Sequence, residues 1–373
     1  MRESPAIIVG AGPAGLSSAA ALQAEGIDAV ILDRGDEVGA SWRRRYQNLT
    51  LHTVRRFSGL AHHAMPRSYP KYVPRDLFVS YLEDYARRFD LKIEHGCRVQ
   101  RIRRDGSGSR FRIETSDGVW RSSVVVVATG HNGTPIRSAL PGQGSFHGTL
   151  IHSDEYDTPA AFRDSRVLVV GAGNSGSEIA ADLARHGGGH VAISVRTPPP
   201  IVPRDVLGSP VQVVGILLSP LPAALADRFA GMVARLAMGD LTGYGLQRPG
   251  WQPFTARRPP TIDTGFVAQV KQGRIQVRPA VAEVTPAGVR YADGNEESFD
   301  HVIMATGFST GLRAFLDLDG LLREDGFPLP RCGEETSEPG LYFMGYTETH
   351  RGHLFEVKRD SRKLAKRVRT YLH

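Results

Sequence analysis

Two short apolar runs set the frame of the chain. Residues 6–9 and 167–170 are each four uninterrupted hydrophobic positions, too short for a helix and rich in β-branched side chains. That is the pattern of a strand buried on both faces of a parallel sheet. A glycine-rich turn follows each run. Gly10-Ala11-Gly12-Pro13-Ala14-Gly15 opens a helical pattern that reaches Leu22, and Gly171-Ala172-Gly173-Asn174-Ser175-Gly176 opens a second over 178–184. Residues 29–32 read as another buried strand. Residues 74–89 carry Leu77, Phe78, Tyr81, Leu82 and Tyr85 at helical spacing, which predicts an amphipathic helix.

The remaining pattern is mixed. Residues 92–104, 111–116 and 120–127 read as strands of a small antiparallel layer, the last ending in Ala128-Thr129-Gly130. A strand is expected at 190–196. Residues 205–240 are strongly apolar, but Gly208, Pro210, Gly215, Pro220 and Pro222 interrupt them before any run reaches the ~20 residues of a membrane span. They read as two helices that cap a pocket or join the core, with peripheral membrane contact a minor alternative. Asp263 and Gly273 bracket a short helix. Strands are expected at 274–277, 289–292 and 301–304, the last ending in a second Ala305-Thr306-Gly307, then at 341–346 with Gly345 near its end. A basic helix over 354–372 closes the chain. Residues 47–72 have no clean period and read as a long functional excursion.

Strand, Gly-x-Gly-x-x-Gly and helix in that order form a dinucleotide-binding fingerprint. The first glycine makes the tight turn, the second lets the backbone approach the pyrophosphate, and the third allows close packing of the helix, whose N-terminal N–H groups face the phosphates. Two copies predict two bound nucleotides and an α/β chain of two Rossmann-like domains. The first copy is assigned Gly10, Gly12, Pro13, Ala14, Gly15 and the ribose-binding Asp33, which follows at about 20 residues as expected. Arg34, next to Asp33, and Trp42, in an Arg-rich loop over 39–46, are assigned to the same cofactor. Ala128, Thr129, Gly130, Ala305, Thr306, Gly307 and Gly345 are further close backbone approaches. The second copy is assigned Gly171, Gly173, Asn174, Ser175 and Gly176, with Arg196 at the end of the next strand to meet a ribose 2′-phosphate. Arg204 is expected to share that load. The chain leaves the first domain and returns to it: 1–155 and 295–373 form one domain, and 156–294 the inserted second, with its apolar helical segment at 205–240.

Composition narrows the classes. With 373 residues, 41% hydrophobic and 23% charged, the chain is that of an ordinary globular protein. The net charge of +7 is carried by scattered arginines without a nucleic-acid-binding motif, and a holder of anionic dinucleotides needs cationic surface, so no nucleic-acid partner is expected. Cys97 and Cys332 are far apart with no Cys-x-x-Cys, which excludes a dithiol reductase and a disulfide scaffold. No metal site is expected. A first strand at residue 6 leaves no room for a signal peptide, so a cytoplasmic location is expected.

The stretch between the fingerprints, Phe146-His147-Gly148-Thr149-Leu150-Ile151-His152-Ser153-Asp154-Glu155-Tyr156, resembles the hinge signature of the class B flavin-containing monooxygenases at Phe146, Gly148, His152 and Tyr156. Within that group the chain is most similar to the YUCCA-type indole-3-pyruvate monooxygenases. Residues 46–52, Tyr69-Pro70-Lys71-Tyr72, 203–208 and 244–249 carry that likeness, and Tyr156 stands where Baeyer-Villiger relatives end the signature in Trp. The resemblance implies FAD on the first fingerprint and NADPH on the second, with O2 activated as a C4a-(hydro)peroxyflavin. The substrate is then a small molecule: a 2-oxo acid undergoing oxidative decarboxylation, or an amine or sulfide. A flavin reductase or a sensory flavoprotein is the rival. His52 occupies the place of an Asn found over the flavin in many members, which implies a catalytic donor, against a packed histidine. His152 is implied to be a hydrogen-bonding residue of the hinge. A homodimer is left open.

Overall fold

The computed structural model describes residues 1–106, 110–187 and 189–373. The chain divides into two compact units. One comprises Met1–Arg44, Leu49–Thr134 and Phe308–His373, the other Arg45–Asn48 and Pro135–Gly307.

The first unit is built on a five-stranded parallel sheet in the order Leu341–Phe343, Val124–Val127, Ala6–Val9, Ala29–Leu32, Lys92–Glu94. Every side chain of Ala6–Val9 and Val124–Val127 is buried, as two covered faces require. Helix Pro13–Ala24 follows the first strand. It is made of small residues, and its Ser17 shares a buried hydroxyl hydrogen bond of 2.8 Å with Ser361 of the terminal helix His353–Leu372. Helix Arg75–Arg88 buries Phe78, Tyr81, Leu82 and Tyr85, and Tyr81 and Tyr85 spend their hydroxyls on the backbone carbonyls of His63 and Ala61.

A four-stranded layer runs Arg2–Glu3, Gly118–Ser122, Phe111–Thr115, Val99–Arg104. The expected small layer included all of 92–104 and 120–127. Instead Lys92–Glu94 and Val124–Val127 join the parallel sheet. The reason is burial: Phe111–Thr115 alternates buried and half-buried positions, whereas Val124–Val127 is apolar on both faces and belongs at a sheet centre. The expected irregular excursion at 47–72 contains the strand Thr50–Val54, which pairs antiparallel with Tyr72–Pro74.

The second unit repeats the plan. Its five-stranded parallel sheet runs Thr149–His152, His301–Met304, Arg166–Val170, His190–Ser194, Ile275–Arg278, with helix Asn174–His186 after the central strand. Val281–Thr285, Gly288–Tyr291 and Glu296–Ser298 add an antiparallel meander. This topology moves the expected boundaries of 156 and 294 outward to 135 and 307. Thr149 pairs with His301 and His152 with Met304, so both strands lie in the second sheet and cannot belong to the first unit.

Residues 205–240 form helices Val211–Leu218 and Ala223–Met238, as expected. The core-packing reading fails for the second helix, where Leu225, Phe229, Met232 and Leu236 face solvent. Among the described residues no helix is long and apolar enough to cross a membrane.

Candidate cofactor turns and their surroundings

The two glycine turns have the same stereochemistry. Gly10 and Gly171 both have φ of +108°, a region closed to most side chains, and a Cβ on either would sit 2.7 Å from a carbonyl oxygen, of Ala128 or Ala305 respectively. A Cβ on Gly15 or Gly176 would fall 1.8 Å from the carbonyl of Gly10 or Gly171, so only glycine lets the helix pack on its own turn. The middle glycines differ from both. A Cβ on Gly12 or Gly173 meets no protein atom within 4 Å. The fold itself therefore does not require glycine at these two positions, and the space above them suits a pyrophosphate. Each helix begins at that glycine with no side chain capping it, which leaves its N-terminal N–H groups for an anion. The residues present thus fit two dinucleotides.

The flanking residues set the two turns apart. Gly10 N donates to Leu32 O at 2.8 Å, and Gly171 N donates to Ser194 O at 2.9 Å. By that register the residue after Leu32, Asp33, corresponds to Val195, and Arg34 to Arg196. Asp33 turns back onto its turn, accepting from Ala11 N at 2.5 Å and Gly35 N at 2.7 Å. Arg34 lies beside it, its guanidinium pKa lowered by burial and by the nearby Arg44 and Arg98. At the second turn no carboxylate stands in the Asp33 position, and Arg196 is exposed. The sequence expectation placed Arg196 at the acid's own position. The register places Val195 there and Arg196 one residue beyond.

Other assigned residues divide by what they touch. A Cβ on Gly345 would lie 2.8 Å from the Cβ of Ala14, so this glycine closes directly over the first turn of helix Pro13–Ala24. Thr129 Oγ1 and the buried Tyr346 hydroxyl are 2.7 Å apart, and Thr306 Oγ1 donates to Ile136 O at 2.5 Å. Asn174 Oδ1 accepts from Ile262 N at 2.9 Å, which commits that side chain to bracing the turn. Ser175 and Pro13 stand in the first helical turns. Gly130 and Gly307 both turn with positive φ, at +80° and +86°. Trp42 packs edge-on against Phe78, with ring centroids 4.5 Å apart. His52 is half-buried on the strand Thr50–Val54 of the first unit.

The hinge signature is a structured part of the second unit. Phe146 covers Gly148, where any Cβ would strike Asp300 O at 2.4 Å and the Phe146 ring at 2.5 Å. His152 is buried, with Nδ1 2.6 Å from Asp154 Oδ1. Tyr156 is buried, stacks on Phe162 and donates to Asp182 Oδ2 at 2.8 Å. Burial and the Asp182 charge raise its phenol pKa.

That carboxylate leads to residues the sequence reading missed. Asp182 also accepts from Asn48 Nδ2 at 2.8 Å and lies 3.0 Å from His186 Nδ1, and one turn earlier Glu178 accepts from the buried Tyr46 hydroxyl at 2.5 Å. Burial and Glu178 together hold the Tyr46 phenol pKa well above its ordinary value. Segment Arg45–Asn48 is fastened to the second unit by these bonds and by Gln47 N to Asp157 O at 2.9 Å. The available signal was two carboxylates one turn apart on the buried face of a fingerprint helix, since a buried carboxylate needs partners. His131 and His353 form a second missed pair, with rings 5.0 Å apart. His353 also lies 3.8 Å from the position of a Cβ on Gly345. Burial, and secondarily His131, push its pKa down to about 3.

Both cysteines are free and buried. Burial, then the bond to Asp117, pushes the Cys97 thiol up to about 11, so it is a poor thiolate. Among the described residues no cluster of His, Cys, Asp or Glu is placed to hold a metal ion.

Comparison with known proteins supplies a broader frame. Residues 7–202 match the family model described as pyridine nucleotide-disulphide oxidoreductase. The chain is 37% identical to indole-3-pyruvate monooxygenase YUCCA1 of Oryza sativa subsp. japonica over 372 residues, 97% of this chain and 91% of the relative. It is 36% identical to probable indole-3-pyruvate monooxygenase YUCCA4 of Arabidopsis thaliana, over 91% of this chain and 84% of the relative. Among solved structures, a flavin-containing monooxygenase from Stenotrophomonas maltophilia shares the fold with a TM-score of 0.75 at 24% identity, with all of both chains covered. An oxidized steroid monooxygenase bound to NADP shares it with a TM-score of 0.75 at 19% identity, over 96% of this chain and 83% of the other.

Proposed function

The chain belongs to the class B flavin-containing monooxygenases, the family of the YUCCA enzymes, and from that premise we propose that it oxidatively decarboxylates a 2-oxo acid of the indole-3-pyruvate type. It is an FAD- and NADPH-dependent monooxygenase. One observation carries the substrate class: relatives 36–37% identical over more than nine tenths of this chain bear indole-3-pyruvate in their names. The overall change balances as oxo acid, O2, NADPH and a proton giving the acid one carbon shorter, CO2, water and NADP+.

When bound, FAD supplies hydride acceptance from NADPH and the activation of O2, chemistry beyond any side chain. In this reading Gly10, Gly12, Ala14 and Gly15 hold its pyrophosphate, Asp33 keeps its two backbone donors and accepts from the ribose hydroxyls on its remaining lone pairs, and Arg34, Trp42, Ala128–Gly130 and Gly345 close around it. Gly171, Gly173, Ser175 and Gly176 hold the NADPH pyrophosphate, and Arg196 meets the 2′-phosphate. A carboxylate in the Val195 position would repel that group, and the side chain there is neutral. His52 donates a hydrogen bond near the oxygen being transferred. Phe146, Gly148, His152 and Tyr156 keep the signature strand and its turn in shape.

The test is product analysis on the FAD-loaded protein with NADPH, O2 and indole-3-pyruvate, beside a panel of amines and sulfides. One CO2 and one indole-3-acetate per NADPH are expected. Efficient N- or S-oxide formation with no turnover of oxo acids would replace the substrate class. Rapid NADPH oxidation without oxygen incorporation into any compound would return the chain to a reductase reading.

A further inference from the structure

The strand order of the first unit divides the surroundings of its glycine turn. Strand Ala6–Val9 has Ala29–Leu32 on one side and Val124–Val127 on the other, with Leu341–Phe343 beyond. All four run parallel, so the loops that follow them open at one edge, the edge where sheets of this kind bind their ligands. Asp33 follows Ala29–Leu32. With the pyrophosphate over Gly12 and the adenosine ribose at Asp33, the flavin half of FAD is left the other side, over the loops that leave Val127 and Phe343.

Two histidines meet there. His131 follows the Ala128-Thr129-Gly130 turn, and His353 opens the helix His353–Leu372 after the loop that starts at Gly345. Their rings stand edge to face, with centroids 5.0 Å apart and an interplanar angle of 80°. His353 Nε2 lies 3.8 Å from the position of a Cβ on Gly345, the glycine that closes over Ala14 of the fingerprint helix. The two loops are braced. Thr129 Oγ1 and the Tyr346 hydroxyl join them at 2.7 Å, and Arg351 Nε meets the buried Glu356 at 2.6 Å across His353. Both histidines are only half-buried, so the braced pair borders open space.

The pair has the chemistry of an acceptor. His353 hydrogen-bonds the Thr347 backbone in the sense that favours its charged form, which is donation from a ring N–H to the carbonyl. Burial and the neighbouring His131 outweigh that bond and keep the imidazole neutral. A neutral imidazole that has spent its single N–H offers a lone pair on the other nitrogen. The oxidised flavin ring has a single N–H, at N3, and its other ring heteroatoms are acceptors.

We propose that His131 and His353 wall the flavin half of the first dinucleotide site, and that His353 accepts a hydrogen bond from flavin N3–H. His131 fixes the orientation of the accepting ring through its edge contact. The inference rests on the assignment of FAD to the Gly10 turn and adds the residues that read its ring.

Full-length protein stripped of flavin is titrated with FAD and with 3-methyl-FAD, in which a methyl group replaces that N–H. The parent should bind FAD about fivefold more tightly than the analogue, the worth of one neutral hydrogen bond. His353→Leu should weaken FAD by about the same factor and bind both flavins alike, whereas His353→Gln, which keeps an acceptor, should retain the preference. Equal affinity of the parent for the two flavins overturns the proposal without recourse to any variant, and so does a parental preference in His353→Leu. If Gly12→Ala loses FAD while His353→Leu behaves as the parent, this inference alone fails. If Gly12→Ala keeps its flavin, the assignment of FAD to this turn fails and takes the inference with it.

Discussion

The two glycine turns are copies in backbone and differ in the charge of the residues that flank them. Gly10 and Gly171 share φ, Gly15 and Gly176 share the same impossible Cβ, and Gly12 and Gly173 share the same open space. One residue past the matching hydrogen bonds to Leu32 and Ser194, the copies part: Asp33 at the first, Val195 followed by Arg196 at the second. In the proposed assignment the backbone holds what the two ligands have in common, a pyrophosphate, and the side chain after the second strand would tell a bare ribose diol from a phosphorylated one. Conservation of the turn and divergence of the reader are separate jobs, and substitutions should separate them.

The largest effect is expected at the turns. Gly12→Ala should lose FAD by a hundredfold or more in affinity with the folded state intact, because its Cβ meets no protein atom yet enters the pyrophosphate space. Flavin absorbance per chain and the thermal transition measure this together. Gly15→Ala is the contrast: with a Cβ 1.8 Å from Gly10 O, it should destabilise the chain outright. If Gly12→Ala keeps its full flavin content, the first turn is misassigned.

At the readers the effect should be smaller. Arg196→Ala removes a charge-assisted bond of roughly 1.5–3 kcal/mol and should raise the KM for NADPH about tenfold to a hundredfold, with NADH nearly unaffected. Val195→Asp, which copies Asp33 into the second turn, should move preference toward NADH. Equal changes for both nicotinamides would remove Arg196 from the site.

His52→Ala should still be reduced by NADPH but lose coupling, since a lost hydrogen bond of about 1 kcal/mol lets unproductive release of H2O2 compete with transfer. Hydrogen peroxide yield per NADPH is the readout. An unchanged yield would make His52 a packed residue of its strand.

The last effect is on stability and is confined to acid. The folded pKa of His353 lies well below its ordinary value, so the unfolded chain binds a proton that the folded chain refuses. Stability from this residue is full above about pH 6.5 and declines as pH falls toward 3. Compared with the parent, His353→Gln should show a flatter loss of stability across that window in denaturant titrations. Parallel slopes would contradict the assignment.

The parts legible in the sequence were those fixed by local rules. Four-residue apolar runs ahead of Gly-x-Gly-x-x-Gly announced both sheets and both turns, because a buried parallel strand and a tight turn leave little choice of residue. Helix Arg75–Arg88 followed from its spacing. What stayed hidden depended on pairing at long range. Nothing in 92–94 or 124–127 says which of two sheets will accept it, and the unit boundaries moved because Thr149–His152 pairs with a strand some 150 residues away. Asp182 collects Asn48, Tyr156 and His186 from three places in the chain, a convergence that no local window contains. Helix Ala223–Met238 stayed hidden for a related reason: the apolar character of its segment was legible, but which side is buried is set by the N–H groups of Phe254 and Thr255, which donate to Asp227.

The division of labour between the turns is tested most directly by anaerobic rapid mixing of FAD-loaded Gly173→Ala with NADPH, followed by flavin absorbance. The variant should carry a full flavin spectrum, because the first turn is intact, and should be reduced at least a hundredfold more slowly than the parent at equal NADPH. Loss of flavin together with reduction, or reduction at the parental rate, would contradict the assignment of one dinucleotide to each turn.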